Sequence, residues 1–463
     1  MMFKKRNKGK NIKKWLIVIF TIAVIVPLIW VLVVKFEGQQ PVIDLNLASA
    51  VVPADFEITG NVGDSKSGLK RLWIGILQNG KETVLFDESY PSEGFFGKGT
   101  VGRVAMAQQV NAKKLNLSDG PAKLRIAAWD YAWRNWWGGN QVYLEKEIIL
   151  DTRAPVLSVL STQHNVIRGG AGLVIYKLSE KCPRSGVLVG KDFFPGYPGH
   201  FNDTSIYLSF FAIPVDYEKQ DDIFVRAVDA AGNESKSGFY YHLREKKFKA
   251  DTINISENFL NMKLPEFQSV EGIPSEKSSE DQFIFINGEL RKRNNHTILS
   301  NGQKTENRLF WQDFFGRLPN SARRANFGDQ RVYRHNGNVI SNAVHMGIDL
   351  ASVKHAEIPA ANRGKIVFAD YVGIYGNLVC IDHGCGLMSI YAHLSRMSVG
   401  KDELVERGDI IGYTGTTGLA GGDHLHFGMF INHVFVNPVE WWDSSWIYNN
   451  ITSKIESVQA MAQ

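Results

Sequence analysis

One long apolar segment near the start of the chain contrasts with the short alternating runs that follow it. From Trp15 to Val34, only Thr21 is polar. A helix of this length spans about 30 Å, the thickness of the hydrocarbon core of a bilayer. The segment therefore predicts a transmembrane helix over residues 15–35. A cleaved signal peptide is the competing interpretation, because it also has an apolar core.

Charge and length favour the uncleaved helix. Residues 1–14 hold seven Lys or Arg residues and no acidic residue, and a basic flank of this kind stays in the cytoplasm. A signal peptide usually has an apolar core of about 7–15 residues followed by a small-x-small site. The one such site, Ala48-Ser49-Ala50, lies beyond Glu37 and Asp44. We expect a basic cytoplasmic tail, a single-pass anchor in the cytoplasmic membrane, and an exported remainder on its periplasmic or cell-wall side.

Alternating apolar and polar residues dominate the next 200 positions. Examples are Leu72 to Leu77, Val142 to Leu150 and Tyr207 to Ala212, and turn-forming Gly, Asn, Asp and Ser residues separate such runs. A period of two favours strands over helices.

A repeat divides these strands into two modules. The run Lys123 to Ala132 is echoed by Asp222 to Ala231, and Asp151-Thr152 returns as Asp251-Thr252, with offsets of 99 and 100 residues. A repeat of this length made of short strands predicts two tandem β-sandwiches, 41–151 and 152–250. The run Ala227 to Asn233 resembles the closing strands of bacterial Ig-like domains, and we expect both modules to be spacers without a ligand.

The character of the sequence changes after residue 250. Ser, Glu, Lys and Asn are frequent through about Gly302, and Ile255 to Lys263 and Asp281 to Arg293 predict short helices. Segments of this kind in multidomain chains are covers or tethers. We interpret residues 251–309 as a linker or a partly ordered arm.

Length, charge and cysteine content bear on the number of domains, on nucleic-acid binding and on disulfides. A chain of 463 residues with 44% hydrophobic residues predicts about three globular domains. The net charge of +5 comes from the basic tail, so no folded domain has the basic face that nucleic-acid binding requires. The three cysteines cannot all pair within the chain, and we expect free thiols.

Histidine spacing gives the candidate chemistry. His345 and Asp349 are four residues apart, and His424 and His426 are two apart in an alternating run. If that run is a strand, both histidines face the same side. His345, Asp349 and His426 could supply the three N/O ligands of a catalytic zinc site, with His424 beside the metal. A His-x-His pair in a strand is more often at the surface, but eight of the 12 histidines fall between residues 335 and 433.

The remaining histidines of this region are not expected to bind metal. His383 lies between Asp382 and Gly384 and is interpreted as a turn residue, whereas His335, His355 and His433 belong to no motif and are expected at the surface. A His-Glu-x-x-His helix does not occur in the sequence.

Residues 310–443 contain a series of motifs that resembles a known family. The motifs are, in order, Phe327-Gly328-Asp-Gln-Arg331, His345-Met-Gly347-Ile-Asp349-Leu350, Gly364-Lys-Ile-Val367, Tyr391-Ala-His393-Leu394, Gly412-Tyr-Thr-Gly415-Thr-Thr-Gly418 and His424-Leu-His426-Phe427. They closely resemble the lysostaphin or LytM type of zinc endopeptidase, which cuts peptidoglycan. The resemblance implies antiparallel β-sheets lining a groove, Zn²⁺ held by His345, Asp349 and His426, and a catalytic pair, His393 and His424.

The absence of a helical zinc-protease motif shapes the expected mechanism. Without its glutamate, a histidine must move the proton of the attacking water, and an imidazole is suited to this task. Either His393 or His424 could act as this base, with the other stabilising the oxyanion.

These inferences combine into one expected architecture and function. The fold class is mainly β, with an N-terminal transmembrane helix, two tandem Ig-like β-sandwiches, a C-terminal antiparallel β-sheet metallopeptidase domain with a groove, and a tail over 444–463. We expect a membrane-anchored zinc metalloendopeptidase that hydrolyses the stem peptides or cross-bridges of peptidoglycan, with cell-wall or division-complex proteins as candidate partners. The alternative is a non-catalytic wall-binding scaffold or a regulator of other hydrolases.

Overall fold

The structure is a computed structural model that describes residues 8–218 and 222–461. Lys4, Lys5 and Arg6 of the predicted basic tail, and the last two residues of the predicted C-terminal tail, lie outside the described residues. The chain forms two compact units. The first unit extends to Ala154 and includes Ala230–Asn233, and the second comprises Pro155–Asp229 and the chain from Glu234 onward. The domain boundaries given above stay predictions.

The apolar segment of the first unit forms one long helix, α1 (Lys8–Lys35), which contains Pro27. Its residues Ile12–Lys35 are long and apolar enough to cross a membrane, and the 18-residue apolar window within this span has no residue buried inside the protein. The exposure of these apolar side chains fits a segment whose solvent is lipid.

Eight strands complete the first unit. They are β1 (Val42–Asn46), β2 (Val51–Val52), β3 (Asp55–Gly63), β4 (Leu69–Gln78), β5 (Lys81–Ser89), β6 (Arg103–Asn111), β7 (Gly120–Asp130) and β8 (Gln141–Leu150). The strand order is β1-β3-β6 in one sheet and β2-β8-β7-β4-β5 in the other. Alternate residues such as Ile58 and Val62 of β3 and Leu124 and Ile126 of β7 are buried in one shared core. The period of two in the sequence is therefore the alternation between core and solvent.

The second unit begins with ten further strands. They are β9 (Leu157–Val159), β10 (His164–Ile167), β11 (Ala171–Leu178), β12 (Arg184–Val189), β13 (Asp192–Pro195), β14 (Tyr197–Pro198), β15 (Ile206–Ala212), β16 (Ile223–Val228), β17 (Glu234–Gly238) and β18 (Tyr241–Arg244). They form two four-stranded sheets, β14-β15-β11-β9 and β13-β12-β16-β17, and the parallel pair β10-β18. β15 is buried along its whole length, which explains its run of apolar residues.

The segment predicted as a linker is folded. After β19 (Ala250–Asn254), the helices are α2 (Glu257–Lys263), α3 (Ser279–Phe285) and α4 (Arg291–Leu299). We call residues 256–304 the helical arm. Ser256 and Ser278 cap the N-termini of α2 and α3. Each side chain accepts a hydrogen bond from the backbone N–H of the residue three positions later in the chain. The arm buries the apolar side chains Leu260, Phe267, Phe283, Ile286, Leu290 and Ile298. The expectation of a partly ordered arm missed this packing.

The C-terminal strands form a large antiparallel sheet. They are β20 (Ala322–Ala325), β21 (Gln330–His335), β22 (Asn338–Val344), β23 (Ile348–Ala351), β24 (Glu357–Pro359), β25 (Gly364–Val372), β26 (Gly376–Asp382), β27 (Leu387–Leu394), β28 (Arg396–Met397), β29 (Leu404–Val405), β30 (Ile410–Tyr413), β31 (Leu425–Ile431) and β32 (Val434–Val436). The main sheet has the order β20-β23-β31-β27-β26-β25-β29, with β32 on β31. Two smaller sheets, β19-β21-β22 and β24-β30-β28, accompany it.

Three short helices follow the last strand: α5 (Pro438–Trp442), α6 (Ser444–Ile447) and α7 (Ser453–Met461). Trp441 is fully buried against Phe315 and Trp311. The chain is mainly β, as its alternating pattern predicts. Cys182, Cys380 and Cys385 are buried free thiols, so the core holds without disulfides in the described residues.

Candidate metal centre and active site

Neighbouring strands of the main sheet bring the predicted ligands together. Asp349 of β23 lies directly opposite His426 of β31 in the strand register. His345 follows the end of β22, four residues before Asp349. β31 is buried along its whole length, so its inward side chains are held in a fixed position by strands on both sides.

Three ligand atoms converge at this point. His345 Nε2 is 3.0 Å from Asp349 Oδ1 and 3.0 Å from His426 Nδ1, and His426 Nδ1 is 3.0 Å from Asp349 Oδ1. In a tetrahedral site with zinc–ligand distances of about 2.0–2.1 Å, ligand atoms are separated by about 3.3 Å. The observed triangle is close to that size, so the three side chains could hold a metal ion.

The protons of the two imidazole rings support a cation at this position. His345 Nδ1 lies 2.9 Å from the carbonyl oxygen of Asn326 and donates its proton there. The Nε2 atom of a neutral His345 ring then carries a lone pair that faces the Asp349 carboxylate. The single proton of a neutral His426 ring cannot satisfy both of these acceptors. A cation among the three atoms removes the conflict, and the donor set of two imidazoles and one carboxylate suits zinc.

A glycine makes the close approach at His426 feasible. A Cβ atom on Gly347 would lie 2.5 Å from His426 Nε2, which is far inside van der Waals contact. Any other residue would push the ring away, so the His-x-Gly-x-Asp spacing has a steric reason at its glycine.

His393 and His424 form a second pair beside the three ligand atoms. Their ring centroids are 4.9 Å apart. His393 Nδ1 donates to the carbonyl oxygen of Thr417 at 2.9 Å, and His424 Nδ1 donates to that of Gly422 at 2.7 Å. Both Nδ1 protons are thereby fixed, and both rings lie on the wall of one pocket.

The electrostatic environment separates these two histidines. Burial lowers the pKa of His393 well below its ordinary value, and the neighbouring His424 and His426 rings lower it further. Burial also acts to lower the pKa of His424, but its contact with Asp349 outweighs burial and raises the pKa. His424 Nε2 lies 3.6 Å from Asp349 Oδ1. The pair therefore combines a neutral imidazole with one that is protonated more readily.

The five residues line one pocket of about 400 Å³. His345, Asp349, His393, His424 and His426 all contribute to its wall. The structure thus brings together every site residue predicted from the sequence.

Comparison with known proteins agrees with this geometry. Residues 343–438 match the model of peptidase family M23. These residues are a peptidase family M23 domain. The DD-carboxypeptidase/endopeptidase Mpg of Neisseria meningitidis serogroup B is 42% identical over 96 residues, which cover 21% of this chain and 22% of that protein.

Two further relatives match the same part of the chain. The peptidoglycan DD-endopeptidase ShyC of Vibrio cholerae serotype O1 is 33% identical over 126 residues, covering 27% of this chain and 28% of ShyC. The catalytic domain of lysostaphin from Staphylococcus simulans is 28% identical and covers 27% of this chain and 94% of its own, with a TM-score of 0.23 that carries no argument about the fold. The chain spans less than a third of the length of the curated relatives Mpg and ShyC.

The helical arm contributes to the pocket of the M23 domain. Ile255, Phe259, Phe283 and Arg291 line it from the arm and the residue before it. Three of these residues lie in three different helices, and Ile255 lies just before the first of them. All four are at least 50 residues before His345 in the sequence. Their arrangement gave no motif, so the sequence did not indicate them.

The arm also holds the loop that orients His393. Lys263 donates to the carbonyl oxygen of Thr416, and Glu266 accepts from the backbone N–H of Gly418 at 2.8 Å. Thr417, between these two contacts, is the residue whose carbonyl oxygen fixes His393. The φ angle of His393 is +65°, a conformation rare for a residue with a side chain. The surroundings must therefore hold it, and the arm is part of them.

Arg331 and Tyr375 are further pocket residues without an assigned role in the sequence. Arg331 donates from Nη2 to Asp349 Oδ2 at 2.9 Å, so the carboxylate presents its other oxygen to the two histidines. Burial raises the pKa of Tyr375 to about 12, which keeps the phenol neutral beside His426. Arg331 belongs to the Phe-Gly-Asp-Gln-Arg motif, and its place in that motif was the feature of the sequence that could have indicated a role in the site.

His383 and His335, two histidines outside the site, serve the fold. His383 is fully buried between the carbonyl oxygen of Arg363 and the hydroxyl of Ser389, and burial lowers its pKa to about 4. His335 was expected at the surface but is only 5% exposed, because it bonds to Ile255 and Glu257 at the start of the helical arm.

His355 and His433 match the surface expectation. Their side chains are 53% and 41% exposed.

Proposed function

We propose that this chain is a zinc metalloendopeptidase that hydrolyses peptide cross-links of bacterial peptidoglycan. The observation that carries the proposal is the triangle of His345 Nε2, Asp349 Oδ1 and His426 Nδ1, with 3.0 Å sides, beside a second histidine pair. In this proposal the triangle holds zinc, and His393 and His424 handle protons.

Zinc and the residues behind its ligands have separate contributions in this proposal. When bound, zinc supplies a Lewis acid that lowers the pKa of water toward about 7 and polarises a carbonyl group. Arg331 supports the site by fixing Asp349 Oδ2. Asn326 supports it by fixing the tautomer of His345.

The histidine pair divides the proton transfers. His393 Nε2 is the atom that accepts the proton of the attacking water, because burial keeps this ring neutral. His424 is the second ring of the pair on the pocket wall, and a donating imidazole at this position stabilises the developing oxyanion. The same proton on His393 can then pass to the leaving amine.

Charge in the pocket suits a peptide that carries carboxylates. Arg291 and Arg331 line the pocket, and Asp349 is the acidic residue among the lining residues that the structure describes. Peptidoglycan stem peptides are acidic, and the relatives Mpg and ShyC are named as carboxypeptidase or endopeptidase enzymes of DD bonds. We propose the same substrate class for this chain.

The proposed location is the cytoplasmic membrane. Helix α1 anchors the chain, the basic residues before it stay in the cytoplasm, and the M23 domain lies on the periplasmic or cell-wall side. This side is where peptidoglycan is found.

Digestion of purified peptidoglycan by the full chain in detergent tests the proposal. After a muramidase has then cut the glycan strands, we expect cross-linked muropeptides to be replaced by uncross-linked ones, with one water added per peptide bond cut. The matched control is His345→Ala, which should leave the cross-linked muropeptides in place. Binding of peptidoglycan without cleavage by the zinc-loaded wild type would contradict the enzyme and favour the wall-binding scaffold.

A further inference from the structure

We propose that an aromatic cluster beside the end of helix α1 inserts into the headgroup region of the bilayer and fixes the first unit against the membrane. The cluster consists of Phe36, Phe95, Phe96, Trp133, Trp136 and Trp137. The inference rests on the proposed membrane anchor and is independent of the peptidase activity.

The rings of Phe36, Phe95, Phe96, Trp133 and Trp137 contact one another, and Trp136 precedes Trp137 in the chain. Trp133 lies at its centre, with ring centroids 5.7 Å from Phe36, 5.2 Å from Phe95, 5.7 Å from Phe96 and 5.1 Å from Trp137. Aromatic pairs at such distances attract each other. Residues from the helix end and two separate loops therefore form one continuous surface.

This surface is open to solvent in the protein alone. Trp136 is 97% exposed, Phe95 63%, Phe96 60% and Trp137 56%. Soluble surfaces rarely carry large apolar patches unless they bind something. The fold of the first unit does not explain these exposed rings, because its core lies between the two sheets and contains none of them.

Hydrogen bonds attach the surface to the end of α1. The backbone N–H of Trp133 donates to the carbonyl oxygen of Lys35 at 2.5 Å. Arg134 Nη2 donates to the carbonyl oxygen of Phe36 at 3.1 Å. These two bonds satisfy carbonyl groups at the helix end that have no partner within the helix. The loop that carries Trp133 and Arg134 is therefore held next to the point where α1 leaves the membrane in this proposal.

The length of the helix places this end at the level of the lipid headgroups. The apolar span of 24 residues is about 36 Å long at 1.5 Å per residue. The hydrocarbon core is about 30 Å thick, so the last turn of α1 reaches the interface. Phe36 follows that turn directly, and the cluster around it lies at the same level.

The residue types match an interfacial surface. Tryptophan is enriched where membranes meet water, because its ring is apolar and its N–H is polar. Lys98 and Arg134 adjoin the cluster in the sequence and are exposed, as suits contact with lipid phosphates. A bilayer is therefore the occupant that the surface fits. A second copy of the chain and another protein are the alternatives for the test.

Fluorescence quenching by brominated lipids tests the proposal in the full chain. The background is W15F/W30F, which removes the tryptophans of α1. The chain is placed in nanodiscs of phosphatidylethanolamine and phosphatidylglycerol that hold one copy each. We expect lipids brominated close to the headgroup to quench the emission more strongly than lipids brominated near the bilayer centre.

Two variants in this background identify the tryptophans that are quenched. W136F/W137F should lose roughly half or more of the quenching, because these two rings are exposed in the cluster. W129F is the matched control, because Trp129 lies on β7 and contacts Arg71 instead of the cluster. Its quenching should remain unchanged.

Each outcome decides the proposal. A chain that stays in the membrane after a high-salt wash but shows no quenching at Trp136 and Trp137 overturns the inference and leaves the anchor intact. A chain that is washed off overturns the anchor itself. Protection of the two tryptophans only in discs with two copies would assign the surface to a dimer and also overturn the inference. Peptidoglycan digestion is expected to be unaffected by W136F/W137F in detergent.

Discussion

Each unit contains a compact cluster of three side chains that could ligate a metal, yet the two clusters differ in how their atoms are satisfied. The cluster of the second unit is His345, Asp349 and His426, and that of the first unit is Glu37, Asp64 and Asp130. In both, one ligand atom from each residue lies within 4.8 Å of the others. Proximity alone therefore does not distinguish them.

The acidic cluster of the first unit is already supplied with donors. Glu37 accepts from the backbone N–H of Gln39, and Asp64 accepts from that of Gly68. Asp130 accepts from both the backbone and the side chain of Asn140. Carboxylates that accept several N–H bonds are stabilised without a cation. This cluster has a structural reason for its place next to the end of α1.

The histidine cluster differs, because Arg331 donates to Asp349 Oδ2 while the other oxygen, Oδ1, faces two imidazole nitrogens. Its three ligand atoms lie 3.0 Å from one another, and the single proton of one neutral imidazole cannot serve both of the other two atoms. Buried polar atoms without partners are costly. The comparison teaches that unsatisfied lone pairs, more than a count of acidic or basic residues, indicate where a metal belongs.

The largest expected effect is the loss of zinc when a residue of the histidine cluster is replaced, with no such loss when the acidic cluster is altered. Replacing His345, Asp349 or His426 by Ala removes one of three protein ligands, so bound zinc and activity should both collapse. Elemental analysis and peptidoglycan digestion measure these two quantities. The matched control is Asp64→Asn, which alters the acidic cluster and should leave zinc at the wild-type level. Zinc retained by all three histidine-cluster variants would place the site elsewhere.

The second effect separates ligands from proton carriers. Replacing His393 or His424 by Ala should leave zinc bound but lower turnover on the order of 10² to 10⁴-fold, the range for a lost general acid or base. The same two assays apply. The assignment is inverted if His424→Ala strips the metal while His426→Ala retains it.

A third effect compares the two units after metal removal. A chelator should destabilise the second unit, since a ligand present at 1,000 times its Kd stabilises by about 4 kcal/mol. Hydrogen exchange followed by mass spectrometry should show faster exchange in β23 and β31 and no change in β3 or β7. Faster exchange around Asp64 and Asp130 would mean that the acidic cluster also holds a cation.

The smallest expected effect concerns pH and the acidic cluster. Burial raises the pKa of Glu37 above its ordinary value of 4.5, so the folded state binds this proton more tightly than the unfolded chain. Its contribution to stability is complete below the ordinary pKa and is lost as pH rises through the folded pKa. Glu37→Gln should therefore gain stability relative to wild type as pH increases. Thermal unfolding of the first unit at about pH 4 and about pH 8 measures this difference, and an advantage confined to the lower pH would contradict it.

Local patterns predicted much of the fold because they express local geometry. The alternation in β7 and the uninterrupted apolar run of α1 correspond to period two and to a membrane-spanning length. Short helices were predicted within the helical arm, but their packing was not, because its apolar residues are spread over short helices interrupted by tighter and wider turns. The arm is held by contacts with segments that lie far along the chain. Asn294, for example, accepts from the backbone N–H of Ile374, 80 residues away.

The candidate metal ligands and the candidate histidine pair were all predicted from the sequence. The spacing of His345 and Asp349 around Gly347, and the alternation of His424 and His426, fix which side chains share one face, because side-chain direction follows from backbone geometry. The structure places both histidines of the alternating run on the wall of the same pocket.

The hydrogen-bond partners and the pKa of each histidine depend on contacts that form only in the folded chain. The carbonyl oxygen that fixes His393 belongs to Thr417, 24 residues away, and the loop that carries it is held by Glu266 of the helical arm. The contact with Asp349 that favours a proton on His424 depends on two strands meeting. A ring's tautomer and pKa are set by the groups around it in space, and no spacing along the chain specifies those groups.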